Sequence, residues 1–317
     1  MKSKILFPSL LFVLAVLIGS SCNPGGSASS TGNGDKVQLE LAVTPGLVYK
    51  QVTKTDQTST QKMMGISTKT SQATEMYLKN EVLSVGADGL ADVKCTYERI
   101  KVESDNSMMG KKTFDSDNAP ADVAMEFRGY TALVGKSIGF KIDKYGTVQE
   151  VYGVDSLFDI MMQSVSGEAG GMEMEAVKTA MKSTFGDEAM KSMMQSASIQ
   201  YPDVLIAEGD TWGKKISSMG AMPLAMDVTY KVDHIDAEKV VLSFEGTITT
   251  DKSKGLDLGL MEMSMDLKGD YSGTSEIDRK TGLVLKSTID QDMSGSMGAM
   301  GMNLPVTIEQ KVTVERY

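Results

Sequence analysis

Met261-Glu262-Met263-Ser264-Met265-Asp266-Leu267-Lys268 alternates apolar and polar residues without a break over eight positions. A helix would scatter its four apolar side chains around the cylinder. A strand sends successive side chains to opposite faces and gathers all four on one. The same period recurs at Val306, Ile308, Val312 and Val314 against Thr307, Glu309, Lys311 and Glu315. It recurs again at Val37, Leu39, Leu41 and Val43 against Gln38, Glu40 and Ala42. One dry face and one wet face is the signature of antiparallel strands packed on a single side. Turn formers separate the runs: Ala87-Asp88-Gly89, Lys144-Tyr145-Gly146, Asp236-Ala237-Glu238 and Lys280-Thr281-Gly282 each tolerate tight or left-handed backbone. The chain is therefore read as mainly β within the α+β class, a curved antiparallel sheet or half-barrel.

The period changes over about 155–196. Leu157, Ile160, Met161 and Ser164 fall at helical spacing, as do Met174, Val177, Met181 and Phe185, and Gly186 follows as a stop. Asp187 is placed to cap a short helix running to Gln195, and Gly167 to Gly171 read as a loop. The flanks of this insert resemble each other. Gly46-Leu47-Val48-Tyr49 opens one and Gly209-Asp210-Thr211-Trp212 the other, and the hairpins at Ile142 to Val148 and Ile277 to Val284 match in order. The expected organisation is a leader over 1–21, a linker over 22–35, a first β unit over 36–153, a helical insert over 154–198 and a second β unit over 199–317. The two β units form one composite domain, and duplication is one origin open to them.

The N-terminus carries a different kind of signal. Lys2 and Lys4 precede an apolar run from Ile5 to Ile18, then Gly19-Ser20-Ser21-Cys22 and Asn23-Pro24-Gly25-Gly26. A basic start, a short greasy segment and small residues at a cut site mark a secretory signal. Interrupted by Pro8, the run is shorter than the roughly 18 residues of a spanning helix. Because the small residues abut a cysteine, the pattern resembles the lipobox of bacterial lipoproteins, in which Cys22 becomes the lipidated N-terminus. Residues 23–35, rich in Gly, Ser and Asn, have the composition of a flexible tether. Asn23, rather than Asp, after the cysteine points by that resemblance to the outer membrane, and the membrane is the expected partner through the anchor.

Loss of Lys2 and Lys4 with the leader takes the formal charge from −10 to −12. That sign, with no cluster of Lys and Arg, excludes a nucleic-acid binder. With Cys22 acylated, Cys95 has no intramolecular disulfide partner, so stability comes from packing.

The lipobox, the Gly-x-x-Tyr opening, Phe114-Asp115-Ser116, the Gly146-Thr147-Val148 hairpin and Gly209-Asp210-x-Trp212 resemble a family of uncharacterised Bacteroidota lipoproteins. That resemblance implies a compartment and no reaction. At the level of fold alone the chain also resembles the half-barrel lipoprotein carriers of the LolA and LolB type, which implies a concave apolar face.

Residues able to carry chemistry are few. His234, the single histidine, lies between Asp233 and Asp236 with no Gly-x-Ser-x-Gly elbow in the chain, and reads as a surface residue. Cys95 alternates with Val93 and Tyr97 and reads as a small buried hydrophobe. Asp115, Asp117, Asn118 and Asp122 gather calcium-type oxygens, but Pro120 occupies the place where an EF-hand loop needs glycine, so an Asx turn is the stronger reading. Methionine is the outlier of composition, at 25 residues against 8 phenylalanines. Met297, Met300 and Met302, in a Gly-rich stretch read as a loop, are copper candidates because thioethers suit Cu(I). The remaining sets follow strand or helix period, as packed residues do.

No cofactor is expected. The leading expectation is a non-enzymatic, outer-membrane-anchored protein that binds a lipid-like ligand or an envelope protein. Met174, Val177 and Met181 would form the lid, and Met261, Met263 and Met265 the floor, since methionine repacks around varied apolar shapes. The alternatives are a structural lipoprotein with a filled core, an envelope hydrolase working through carboxylates, and a methionine-rich copper binder.

Overall fold

A computed structural model describes residues 36–63, 65–166, 186–218, 222–251, 256–257, 262–299 and 302–317. Within them the chain folds into a single open, curved antiparallel sheet of thirteen strands. The strands are β1 (Val48–Met63), β2 (Ile66–Val85), β3 (Ala91–Asn106), β4 (Gly110–Asp115), β5 (Ser137–Ile142) and β6 (Val148–Tyr152) in the first half. The second half holds β7 (Thr211–Ile216), β8 (Leu224–Ile235), β9 (Lys239–Thr250), β10 (Leu256–Asp257), β11 (Glu262–Asp278), β12 (Val284–Ala299) and β13 (Met302–Arg316). Three helices accompany them: α1 (Arg128–Leu133), α2 (Val154–Ser166) and α3 (Asp187–Ala197).

The chain starts in the middle of the sheet, meanders out to the β6 edge, crosses through the helices to the β7 edge and meanders back to the middle. β13 then pairs with β1 from Gln51↔Arg316 to Gln61↔Val306. Alternation fixes the faces. Val306, Ile308, Val312 and Val314 are buried on the inward face, while their odd-numbered neighbours on β13 point outward. Each turn signal read from the sequence joins a strand pair, at β2–β3, β5–β6, β8–β9 and β11–β12.

Two apolar clusters lie on the inward face. One spans β7 to β9 and β11 to β13 with Leu39, Tyr201 and Trp212; the other spans β2 to β6 with Leu157, Met190 and Met194 from the helices. β1 stands between them and contributes a buried residue to neither, while Leu41 packs against both.

Three sequence readings change. Val37, Leu39, Leu41 and Val43 do not form a strand of the sheet. Their segment lies across the strand ends, with Val37 bridged to Ile206 and with Leu41 and Ala42 donating N–H bonds to Lys144 and Thr281 in turns. Its alternation arises because one side of an extended segment is pressed on the core. Within the Ser294 to Met302 stretch, Ser294 to Ala299 is strand rather than loop, since β12 runs to Ala299, and β13 starts at Met302. Gly295 serves close approach: a Cβ there would fall 1.9 Å from the Asp266 carbonyl oxygen of the neighbouring strand. Asp187 does not cap its own helix. Its Oδ1 accepts from Val154 N–H at 2.8 Å and so caps the start of α2, tying the two helices together.

Candidate functional site

The opening between β6 and β7 is spanned by α3. Gln195 donates through Nε2 to the Val148 carbonyl on β6 at 2.7 Å, and Lys214 on β7 donates through Nζ to the Gln195 carbonyl at 2.6 Å. Lys214 also reaches the carbonyls of Ser196 and Ser198, so one buried ammonium collects the acceptors that the end of α3 leaves over. Past the helix, Trp212 donates to the Gln200 carbonyl at 2.6 Å and Tyr201 to the Gly282 carbonyl at 2.7 Å. Segments 36–47 and 198–207 thereby fill one end of the hollow. The two β units open alike: Gly46 N–H bonds the Val82 carbonyl and Gly209 N–H bonds the Val232 carbonyl, both at 2.8 Å, with φ of 86° and 87°.

A cavity of about 30 Å³ remains beneath this plug, lined by Tyr49, Gln51, Phe244, Tyr271, Ser275 and Ser287 among others. Ser275 and Ser287 share a hydrogen bond of 2.7 Å. Burial pushes the phenols of Tyr49 and Tyr271 well above the ordinary tyrosine range. Toward the far hairpin the inward face of β1 and β2 turns half-exposed and polar, at Gln57, Ser59, Thr70 and Gln72, with Gln310 of β13 beside them between the buried Val312 and Ile308.

Charge is segregated by face. Among the described residues of β1, β2, β3, β9, β11, β12 and β13 the one charged side chain at an inward position is Arg316, at the last residue of β13, where Asp278 holds it at 3.0 Å; the flanking strands add Lys112 on β4, paired with Glu126, and the buried Lys214 on β7. A trough of about 450 Å³ is lined by the outward Asp56, Glu103, Asp105, Asp290, Asp292, Glu309 and Lys311, and Gln57, Gln72 and Gln310 of the polar strip border it too.

The residues singled out from the sequence are dispersed. Met265 is buried in the larger cluster at 9 % exposure, and Met297 packs against it. Met263 and Met302 lie in strands without described side chains, while Met174, Val177, Met181, Met261, Met300 and Cys22 lie outside the described residues. Asp115 spends both carboxylate oxygens on Arg99, at 3.0 and 2.6 Å, and accepts from Asp117 N–H as an Asx turn. The Arg99 guanidinium holds its carboxyl far below the usual range. Asn118 donates to Asp115 at 3.2 Å, and Asp122 lies 3.7 Å from Arg128. Among the described residues no group of three or more acids, histidines or cysteines is arranged to hold a metal. Cys95 is fully buried, which pushes its thiol up to about 12. His234 is exposed, with Nδ1 2.7 Å from Glu208.

Sequence reasoning missed the inward run on β1. Its signal was faint: Gln51, Thr53, Thr55, Gln57 and Ser59 alternate with Val52, Lys54, Asp56 and Thr58, so the contrast is charged against uncharged at Lys54 and Asp56 alone and is nowhere an apolar inward residue against a polar outward one.

The geometry defines a class, an open antiparallel half-barrel with a helix across its gap. Residues 88–284 match the model of the family of unknown function DUF6263, and the chain belongs to that family. No curated protein sequence matches the chain. In shape it is similar to a lipovitellin structure titled for lipid–protein interactions, at 10 % identity and a TM-score of 0.46. That match covers 86 % of this chain, which spans 25 % of the lipovitellin chain. It is similar also to an outer membrane channel from Pseudomonas putida F1, at 9 % identity and a TM-score of 0.23, covering 87 % of this chain and 97 % of the channel. A third likeness is to the translocator domain of the autotransporter NalP from Neisseria meningitidis, at 7 % identity and a TM-score of 0.20, covering 87 % and 90 %.

Proposed function

We propose that this protein is an exported lipoprotein, anchored through Cys22 in the outer membrane, that binds an uncharged ligand on the inward face of its sheet and catalyses no reaction. The observation that carries the reading is the segregation of charge. The central strands of this face carry one ion, Arg316, already paired with Asp278, and are half-exposed along the polar strip of β1 and β2, which suits a guest brought in without counter-ions. The two groups within 4 Å of the His234 ring nitrogens as ion partners are carboxylates, Glu208 and Asp236, and neither is a hydroxyl or thiol that the ring could deprotonate. The anchor reading rests on the leader and on the Gly/Ser-rich tether.

The size of the described cavity, about 30 Å³, supports a second reading, a structural lipoprotein whose hollow is filled by its own chain. Native mass spectrometry of the full chain extracted from the envelope separates the two. A co-purifying uncharged molecule supports the binding protein, whereas a bare acylated polypeptide supports the scaffold. Replacing Cys22 with Ala is expected to remove the acyl mass and release the protein from the membrane fraction. Retention of the variant would sink the anchor.

A further inference from the structure

The inward face changes character at β1. Here three side chains carry polar atoms without a hydrogen-bond partner: Gln51 through Nε2, Thr53 through Oγ1 and Asn80 through both amide atoms. Their residues are 4 %, 1 % and 0 % exposed. Buried amides and hydroxyls in folded proteins are almost always satisfied, so this concentration within one strand pair marks a place where another molecule supplies the partners. The groups are neighbours. The β1–β2 register sets Asn80 opposite Tyr49 and Gln51 opposite Leu78, which places Asn80 diagonal to Gln51. Gln51 also faces the cavity of about 30 Å³ beside the Ser275–Ser287 pair, room for one or two groups the size of a water molecule.

Charge and hydrogen-bond type then select the ligand. An ionised headgroup brought onto this face would lose its water without gaining a counter-ion, because the inward cations are already engaged: Arg316 by Asp278, Lys112 by Glu126 and Lys214 by the carbonyls at the end of α3. Asn80 offers a donor and an acceptor, Gln51 a donor and Thr53 either. Only a group that both donates and accepts answers all of them; water does so in the free protein, and among the neutral groups of a ligand that could displace it the hydroxyl is the smallest. From Thr53 the polar strip continues through Thr55 to Gln57 and Ser59, and across to Gln72 and Gln310, where the face is half-exposed. Tyr49 to Ser59 covers roughly 33 Å at strand rise, long enough for a ligand with several hydroxyls in a row.

We infer that Gln51, Thr53 and Asn80 form a binding site for the hydroxyl groups of an uncharged ligand, with the half-exposed strip receiving the remainder of the molecule. This rests on the reading of the protein as a binding protein and names the chemistry that the same face recognises. Two sources share that chemistry, the headgroup of a neutral lipid and a free neutral oligosaccharide.

The test is calorimetric titration of the full chain, held in the hydroxyl-free detergent lauryldimethylamine oxide, with monoolein, with maltotetraose and with dioleoylphosphatidylglycerol. Binding of monoolein identifies the lipid source and binding of maltotetraose the glycan, with the charged lipid at least tenfold weaker than the better neutral probe. Asn80→Leu and Gln51→Met are each expected to weaken the neutral probe at least tenfold. Their unfolding midpoints are expected to stay level or rise, since an unpartnered polar atom gives way to an apolar one of similar size. Thr53→Val serves where either variant fails to fold. Unchanged affinity in the folded variants overturns the site, and so does binding of neither neutral probe. In that event a co-purifying uncharged molecule in the native mass spectrum keeps the binding protein and removes only this site, whereas a bare polypeptide removes both.

Discussion

Arg99 and Asp115 form the most directional ion pair on the outward face, because a planar guanidinium meets both carboxylate oxygens at 3.0 and 2.6 Å. Both side chains keep more than a quarter of their surface in water, so the pair contributes about 1 kcal/mol and no more. Asp115→Asn is therefore expected to lower stability at pH 7 by about that amount. The folded carboxyl titrates below its unfolded value, so its stabilisation is complete above about pH 4 and fades as pH falls further. Urea midpoints at steps from pH 7 to pH 2 should show the gap between variant and parent constant down to about pH 4 and narrowing below it; a gap that stays constant throughout would refute the assignment. Cys95 makes the opposite statement. Enclosed by apolar neighbours with its thiol pushed up to about 12, it is not a nucleophile in the folded chain. Ellman's reagent at pH 8 is expected to leave it unreacted in the native protein and to find its thiol after unfolding in guanidinium, as one thiol per chain in protein whose Cys22 is acylated.

At the scale of elements, the period of two was enough to read β11 and β13, because each has one face on a core and the other in water. The same rule misread 36–47, where alternation reflects burial of an extended segment whose N–H bonds go to turns. It passed over β1, whose inward face is polar, and it could not tell the Gly-rich end of β12 from a loop. The signals for these lie in tertiary partners, in the close approach of strands at Gly295, and in which carbonyls a lysine can reach. Lys214 shows the last case: its sequence position reads as an ordinary strand residue, and only the fold brings the end of α3 over it. Lys214→Met keeps the stem and removes the donor, leaving carbonyls of Gln195, Ser196 and Ser198 without it. The loss is expected to be about 3 kcal/mol, with faster hydrogen exchange in α3 and β6 than in β12 and β13. Uniform exchange across all four elements would show that Lys214 does not hold the bridge.

The whole molecule is two half-sheets with separate apolar clusters, joined along β1 by backbone ladders rather than by side-chain packing. The chain nevertheless crosses between them at Leu41, which packs against both clusters, and again at α3, which bonds one edge and is held from the other. Leu41 is then the residue through which unfolding of one half is felt by the other, since shared apolar contacts couple cooperative units. The single tryptophan, Trp212, belongs to the cluster of β7 to β13, so its fluorescence follows that half alone. Far-ultraviolet circular dichroism follows the entire sheet. In the parent protein the two urea transitions are expected to coincide, the mark of one cooperative unit. Leu41→Ala, which removes about 2 kcal/mol of packing, is expected to separate them, with the fluorescence midpoint and the dichroism midpoint no longer equal. Coincident transitions in the variant would place the coupling in the β1–β13 ladder and α3 instead, and the neutral strip on β1 would then be a rigid groove rather than a seam between two independently yielding halves.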